Sequence, residues 1–226
     1  MNVLLLFARV LGVECLKVKR TLALAALLLA GFALAAPGGL HAQEAAPALT
    51  KDPGQVKAGR YRLDPAHGKI TWSINHLGFS TYYGQFTDVT GELVLDPAAP
   101  GKSTLSAKIG TGSANALNDK LNAHLKTPDF LDSGKFPEAT FVSQSIEPTG
   151  PTTARVNGTL TLRGVSKPVS FDATFNQAGV NPVDKIYSVG FDGWTVIKRS
   201  DFGVNAFLPL LGDEVALRLE GEFKLQ

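Results

Sequence analysis

Past residue 42, the groups able to do acid–base chemistry are three histidines, His67, His76 and His124, and scattered carboxylates. The spacing of the histidines matches neither a helical nor a loop metal site. Asp213 and Glu214 are neighbours in a segment that reads as a strand, so they face opposite ways and cannot share a substrate. The chain carries neither a strand-to-helix nucleophile elbow nor a glycine-rich phosphate loop. The expectation is therefore a protein that is not an enzyme, with its polar groups available for binding or for holding turns. His76 shares parity with Trp72 and Ile74 near a strand end. It could contact a polar group of a ligand, or it could bond to backbone. Arg199 and Asp201 read as a local ion pair fixing a turn. His124 is expected to tie a helix to the barrel, and His67 to order the turn before the first long strand.

The elements that position these groups are written as an alternation of apolar and polar residues, which starts at Lys69 and runs almost to the end. In the last segment Val215, Leu217, Leu219, Gly221, Phe223 and Leu225 point one way, while Ala216, Arg218, Glu220, Glu222 and Lys224 point the other. Each such strand has one dry face and one wet face. Strands are expected near Lys69–Leu77, Tyr83–Asp96, Ser103–Gly110, Glu138–Glu147, Thr153–Arg163, Pro168–Gln177, Lys185–Lys198 and Glu214–Leu225, bounded by Pro and Gly turns. Between the third and fourth lies a block from Ser113 to Lys126. Its Leu117, Leu121 and Leu125 recur every four residues, so it reads as one short amphipathic helix across one end of the sheet.

Eight strands with short connections form an antiparallel up-and-down sheet that can close without leaving edges. A membrane barrel would turn its apolar face outward and a soluble barrel inward. The last strand has no aromatic girdle, and its polar face carries Arg218, Glu220, Glu222 and Lys224, which favours the soluble polarity. The expected fold is all-β, an eight-stranded antiparallel β-barrel with an apolar interior. Parity assigns to that interior Ile70, Trp72, Ile74, Phe86, Leu93, Leu95, Leu105, Ile109, Leu160, Leu162, Val169, Phe171, Phe175, Phe191, Leu217, Leu219 and Phe223, with His76 at the strand end. These side chains could pack as a filled core or line an occupied tunnel. A bulge near Gly84, Gly91 or Gly193 could flip the parity of a segment.

The first stretch is different in kind. Lys17, Lys19 and Arg20 precede the apolar run from Leu22 to Ala36, the layout of a secretory signal peptide, and residues 1–42 are assigned to it. An uncleaved anchor is the other reading. Pro37, Gly38 and Gly39 stop the run short of the roughly 20 residues a spanning helix needs. Residues 1–16 are long for the basic end of a signal, which points to a true start downstream of Met1, at Val13 or Val18.

Removing residues 1–42 takes away Arg9, Lys17, Lys19, Arg20 and Glu14. Then 18 bases face 19 acids, and the formal charge moves from +2 to −1. Without a basic excess, a nucleic-acid partner is not expected. The single cysteine, Cys15, leaves with the same stretch, so the exported chain holds together without disulfides. Residues 43–59 lack periodicity and read as a flexible lead-in to a domain over 60–226.

Several blocks in order carry a family likeness. They are Tyr61 to Ile70 (YRLDPAHGKI), Asn75 to Phe86, Asn122 to Leu131 (NAHLKTPDFL), Lys135-Phe136-Pro137, Gly158 to Val169 (GTLTLRGVSKPV), Lys198 to Gly203 (KRSDFG) and Gly212 to Val215. On these blocks residues 60–226 resemble the YceI family, the lipid- or polyisoprenoid-binding YceI-like domains. Gly68 stands where that family usually has serine, and Leu125-Lys126-Thr127 stands where charges are commoner. The resemblance implies a lipocalin-like barrel, exported to the periplasm. The barrel would carry a long isoprenoid lipid, quinone or polyprenyl in type, with no other cofactor. In that setting the interior residues and His76 become ligand contacts. A transient contact with a membrane and a homodimer are left open. The alternatives are an enzyme that modifies or isomerises a lipid with His76 or His124 as base, and a filled structural or stress protein.

Overall fold

The structure, a computed structural model, describes residues 49–226. The expected leader, and the start of the lead-in, lie outside the described residues. Strands β1 (Leu49–Thr50), β2 (Gly59–Leu63), β3 (Lys69–His76), β4 (Ser80–Phe86), β5 (Val89–Leu95), β6 (Thr104–Gly110) and β7 (Ala114–Asn115) precede helix α1 (Asp119–Leu125). After it come β8 (Glu138–Pro148), β9 (Thr153–Leu162), β10 (Val165–Val180), β11 (Tyr187–Lys198) and β12 (Leu211–Leu225). Among the described residues the protein is mostly β with one α-helix.

Every strand pairing among them is antiparallel, and eight strands close a ring in the order β10, β9, β8, β6, β5, β2, β12, β11 and back to β10. The long strand β12 makes closure possible by serving two partners on one edge. Its end pairs with β2 (Phe223 opposite Leu63), and its beginning pairs with β3 (Leu217 opposite Trp72). The hairpin β3–β4, with β7 on its outer edge, therefore extends the wall at one end of the barrel. On β12 Leu217, Leu219 and Phe223 turn inward while Arg218 and Glu222 turn out, the polarity of a barrel whose outer face meets water.

Several expectations are corrected. The helix follows the seventh strand and does not fall between the third and fourth. The single segment expected over Tyr83–Asp96 is two strands, β4 and β5, and Gly59–Leu63 is a further strand whose five residues are too few to establish a period. Phe86 and Val89 both turn inward although three residues apart, which strict alternation forbids and a corner at Thr87-Asp88 permits. The helix is also shorter than the Ser113–Lys126 block. Asn118 caps it, its side-chain oxygen accepting from Leu121 N–H at 3.1 Å. Leu117 lies outside it with φ of 55°.

Register shifts occur between Ser143 and Ser145, Phe175 and Gln177, and Leu211 and Val215, and not at Gly84, Gly91 or Gly193. Gly84 serves closeness instead, because a Cβ there would lie 2.1 Å from Trp72 Cζ2. In the stretch read as a lead-in, β1 pairs with β10 and Val56 is buried in the core around Tyr61, Leu93, Phe175 and Val189.

Candidate functional site

Alternation supplies eight inward faces, and they do not fill the space they enclose. Two cavities occupy the barrel, one of about 450 Å³ at the β3–β4 end and one of about 330 Å³ toward the other end. Both fall in the size range of small-molecule sites. They share Ile70, Ile109, Leu160 and Leu217 as a common waist. Trp72, Ile74, His76, Phe86 and Leu162 line the first cavity alone. Leu93, Leu95, Leu105, Val169, Phe171, Phe175, Phe191, Leu219 and Phe223 line the second. The structure thus brings all of these strand positions onto two adjoining hollows.

Strand parity could not reach the residues that loops and the helix contribute. Leu121, His124 and Leu125 of α1, with Phe130 and Leu131 beyond it, close over the first cavity. Val204, Phe207 and Leu210 come from the connection between β11 and β12, and Leu211 opens β12. The four-residue recurrence of Leu121 and Leu125 was the only available sign, since a loop has no period to read.

The polar groups at this mouth are mostly committed elsewhere. Arg199 is buried and does not pair with Asp201. Its Nε donates to Gly212 O at 2.8 Å, Nη1 to Val204 O at 2.8 Å and Nη2 to Leu211 O at 3.0 Å, which pins the β11–β12 connection. Burial lowers the guanidinium's pKa, and the nearby Asp213 opposes that shift. Burial also works against the charge of Asp213, but bonds from Ser200 N–H and O–H at 2.9 and 2.7 Å and the Arg199 charge hold its carboxyl below the usual range. His124 does not bind the barrel wall. Its Nε2 lies 2.9 Å from Asp129 Oδ2, and its ring meets Phe130 and Phe207 edge-on at 4.9 and 5.9 Å. Thr111 spends its hydroxyl on Phe136 O at 2.7 Å. His76 stands exposed at the mouth beside Tyr82, ring centroids 6.0 Å apart. The first cavity is therefore an apolar space with a few polar groups near its opening.

A second cluster lies away from both hollows. Asp64, His67 and Glu222 bring three ligand atoms within 4.8 Å of one another, a spacing that could hold a cation. The chain supplies its own: Lys224 Nζ lies 2.8 Å from Asp64 and 2.7 Å from Asp184. His67 Nδ1 meets Asp64 at 2.8 Å, so it does order the turn before β3. The Lys224 ammonium foremost, with His67 and the Ala66 N–H, holds the Asp64 carboxyl well below the usual carboxylate range against its burial.

Known proteins share this architecture. The family described as YceI-like domain matches residues 61–223. The UPF0312 protein of Pseudomonas putida strain W619 is 40% identical over 153 residues, which is 67% of this chain and 79% of that protein. Among solved structures, BcnA of Burkholderia cenocepacia is 26% identical with a TM-score of 0.65, covering 71% of this chain and 98% of its own. A polyisoprenoid binding domain from Saccharophagus degradans is 15% identical with a TM-score of 0.55, covering 75% of this chain and all of its own, a likeness of fold.

Proposed function

The chain belongs to the YceI-like domain family, and from that premise we propose that it holds a long-chain isoprenoid lipid, quinone or polyprenyl in type, and carries it through the periplasm. The observation that supports this reading is the pair of adjoining apolar hollows inside the barrel. An eight-stranded barrel is just wide enough to be filled by side chains or to take one slender ligand. Cavities of 450 and 330 Å³ favour the ligand over a filled structural barrel. The polyisoprenoid binding domain of Saccharophagus degradans shares the fold, in agreement with this reading.

Burying each five-carbon unit is worth roughly 4 kcal/mol relative to water, at about 0.8 per carbon. A lipid tail is already dry in a membrane, so tail burial chiefly makes the lipid portable. Preference among lipids then comes from shape and from polar groups at the mouth such as His76. The periplasmic address rests on the export signal read over residues 1–42, and N-terminal sequencing of the exported protein tests it. The binding reading is tested by extracting the purified protein with organic solvent for mass spectrometry, then offering it a prenyl quinone. A bound or readily taken-up isoprenoid is the expected result, and an empty protein that takes up none overturns the reading.

One observation favours a second reading, an enzyme that modifies or isomerises the bound lipid. His124 faces the first cavity with Asp129 on its Nε2, an arrangement that could orient a base. That reading predicts product after long incubation with a bound lipid, abolished by His124→Ala. Unchanged lipid dismisses it.

A further inference from the structure

The first cavity opens through a ring of large apolar side chains that point into solvent. Phe79 is 90% exposed, Leu117 96%, Leu210 67%, Phe207 55% and Leu77 46%. Leu77, Phe207 and Leu210 also line the cavity, so apolar surface runs without a break from the interior to the outside. Phe79 follows Leu77 in the β3–β4 turn, and Leu117 sits in the turn that enters α1. Soluble proteins rarely expose contiguous apolar surface without a partner for it. Leu77, Leu117 and Phe207 moreover take left-handed backbone, with φ of 57°, 55° and 62°, which bulky residues seldom adopt. Three separate turns thus accept backbone strain at the same end of the barrel where they display apolar side chains.

We propose that this ring is a membrane-docking surface whose partner is a phospholipid bilayer of zwitterionic headgroups. The charge of the segments that bear the ring favours a bilayer over a second protein. Residues 77–87 and 202–212, which bear four of the five side chains, contain no Asp, Glu, Lys or Arg, and Asp119 and Lys120 beside Leu117 carry opposite signs, so no anionic lipid is called for. Several of their backbone donors are paired from within. Gly78 N–H donates to Asn75 Oδ1 at 2.8 Å, Phe79 N–H to His76 O at 3.0 Å, Ala116 N–H to Asn122 Oδ1 at 2.7 Å and Leu117 N–H to Asn115 Oδ1 at 2.8 Å. Leu211 N–H donates to Phe207 O at 2.8 Å, and Pro209 has no N–H to satisfy. Leu77, Phe207 and Leu210 line the cavity as well as facing solvent, so a docked barrel would present its hollow directly to the lipid phase.

Flotation of the mature protein with phosphatidylcholine vesicles tests the surface without any isoprenoid, so its outcome is separate from that of the binding reading. The protein is expected to float with the vesicles and to keep doing so in high salt. The triple variant Phe79→Ser, Leu117→Ser, Leu210→Ser should lose at least about tenfold in partitioning. Trp194→Ser with Val196→Ser, exposed on the outer face of β11, should lose none. Circular dichroism establishes that the variants fold. Should the triple variant not fold, Phe79→Trp gives the same answer: the emission it adds to that of the native protein should shift to the blue when vesicles are added. Failure of the native protein to float, equal flotation of the triple variant, or an unshifted added emission from the Phe79→Trp variant overturns the proposal. So does light scattering that shows a dimer which the ring substitutions dissociate, since the ring would then meet a second copy.

Discussion

Asp64 is the residue at which charge and architecture meet. It is nearly buried, accepts from Ala66 N–H at 3.0 Å and contacts His67 and Lys224, so one carboxylate joins the end of β2, the turn before β3 and the end of β12. Because the folded state holds this carboxyl below its ordinary range, its contribution is complete above the unfolded pKa of about 4 and fades as pH falls through the lower folded value. Asp64→Asn loses charge-assisted bonds that together contribute about 2 kcal/mol, so Tm at pH 7 should drop by on the order of 5 °C. The gap between the two proteins should narrow as pH falls from about 5 toward 2, and thermal unfolding across that range would reveal a constant gap if charge were irrelevant. Sequence made the roles of single polar residues only partly legible. His67 acts locally, three residues from its partner. Arg199 takes two of its three acceptors, Leu211 O and Gly212 O, from the far side of a loop, and the neighbour that spacing suggested, Asp201, is not among them.

Elements were legible where they were long. β8, β9 and β11 carry enough alternation to declare themselves, whereas β2, β7 and the cut between β4 and β5 depend on pairings with distant strands. Phe86 and Val89 show why: each belongs to a clean alternation, and only a corner lets both face inward. Helix α1 was recognised by its leucine spacing and overextended, because Leu117 fits that spacing and yet lies before the Asn118 cap. Its seven residues are too few to be stable alone, so the cap and the packing over the cavity must hold it. Asn118→Ala should cost about 1 kcal/mol and raise amide exchange across residues 119–125 roughly fivefold. Exchange that is unchanged, measured by mass spectrometry on peptides from this segment, would show that packing alone holds the helix.

For the whole molecule, the telling feature is the waist where both hollows touch Ile70, Ile109, Leu160 and Leu217. If a long prenyl chain threads both hollows, Leu160→Phe should weaken it about tenfold while leaving a chain short enough for the first cavity within about twofold. Calorimetric titration with prenyl alcohols of increasing length reads the difference, and equal losses for short and long chains would confine the ligand to one hollow. Strand periodicity by itself determined which side chains share a face, since alternation is a property of the local backbone and needs no knowledge of what lies opposite. Tertiary structure alone decided that β12 serves two partners to close the ring, that the β11–β12 connection joins α1 over one end, and that the enclosed side chains leave space. Closure and void volume are sums over residues far apart in the chain, and no local period records them.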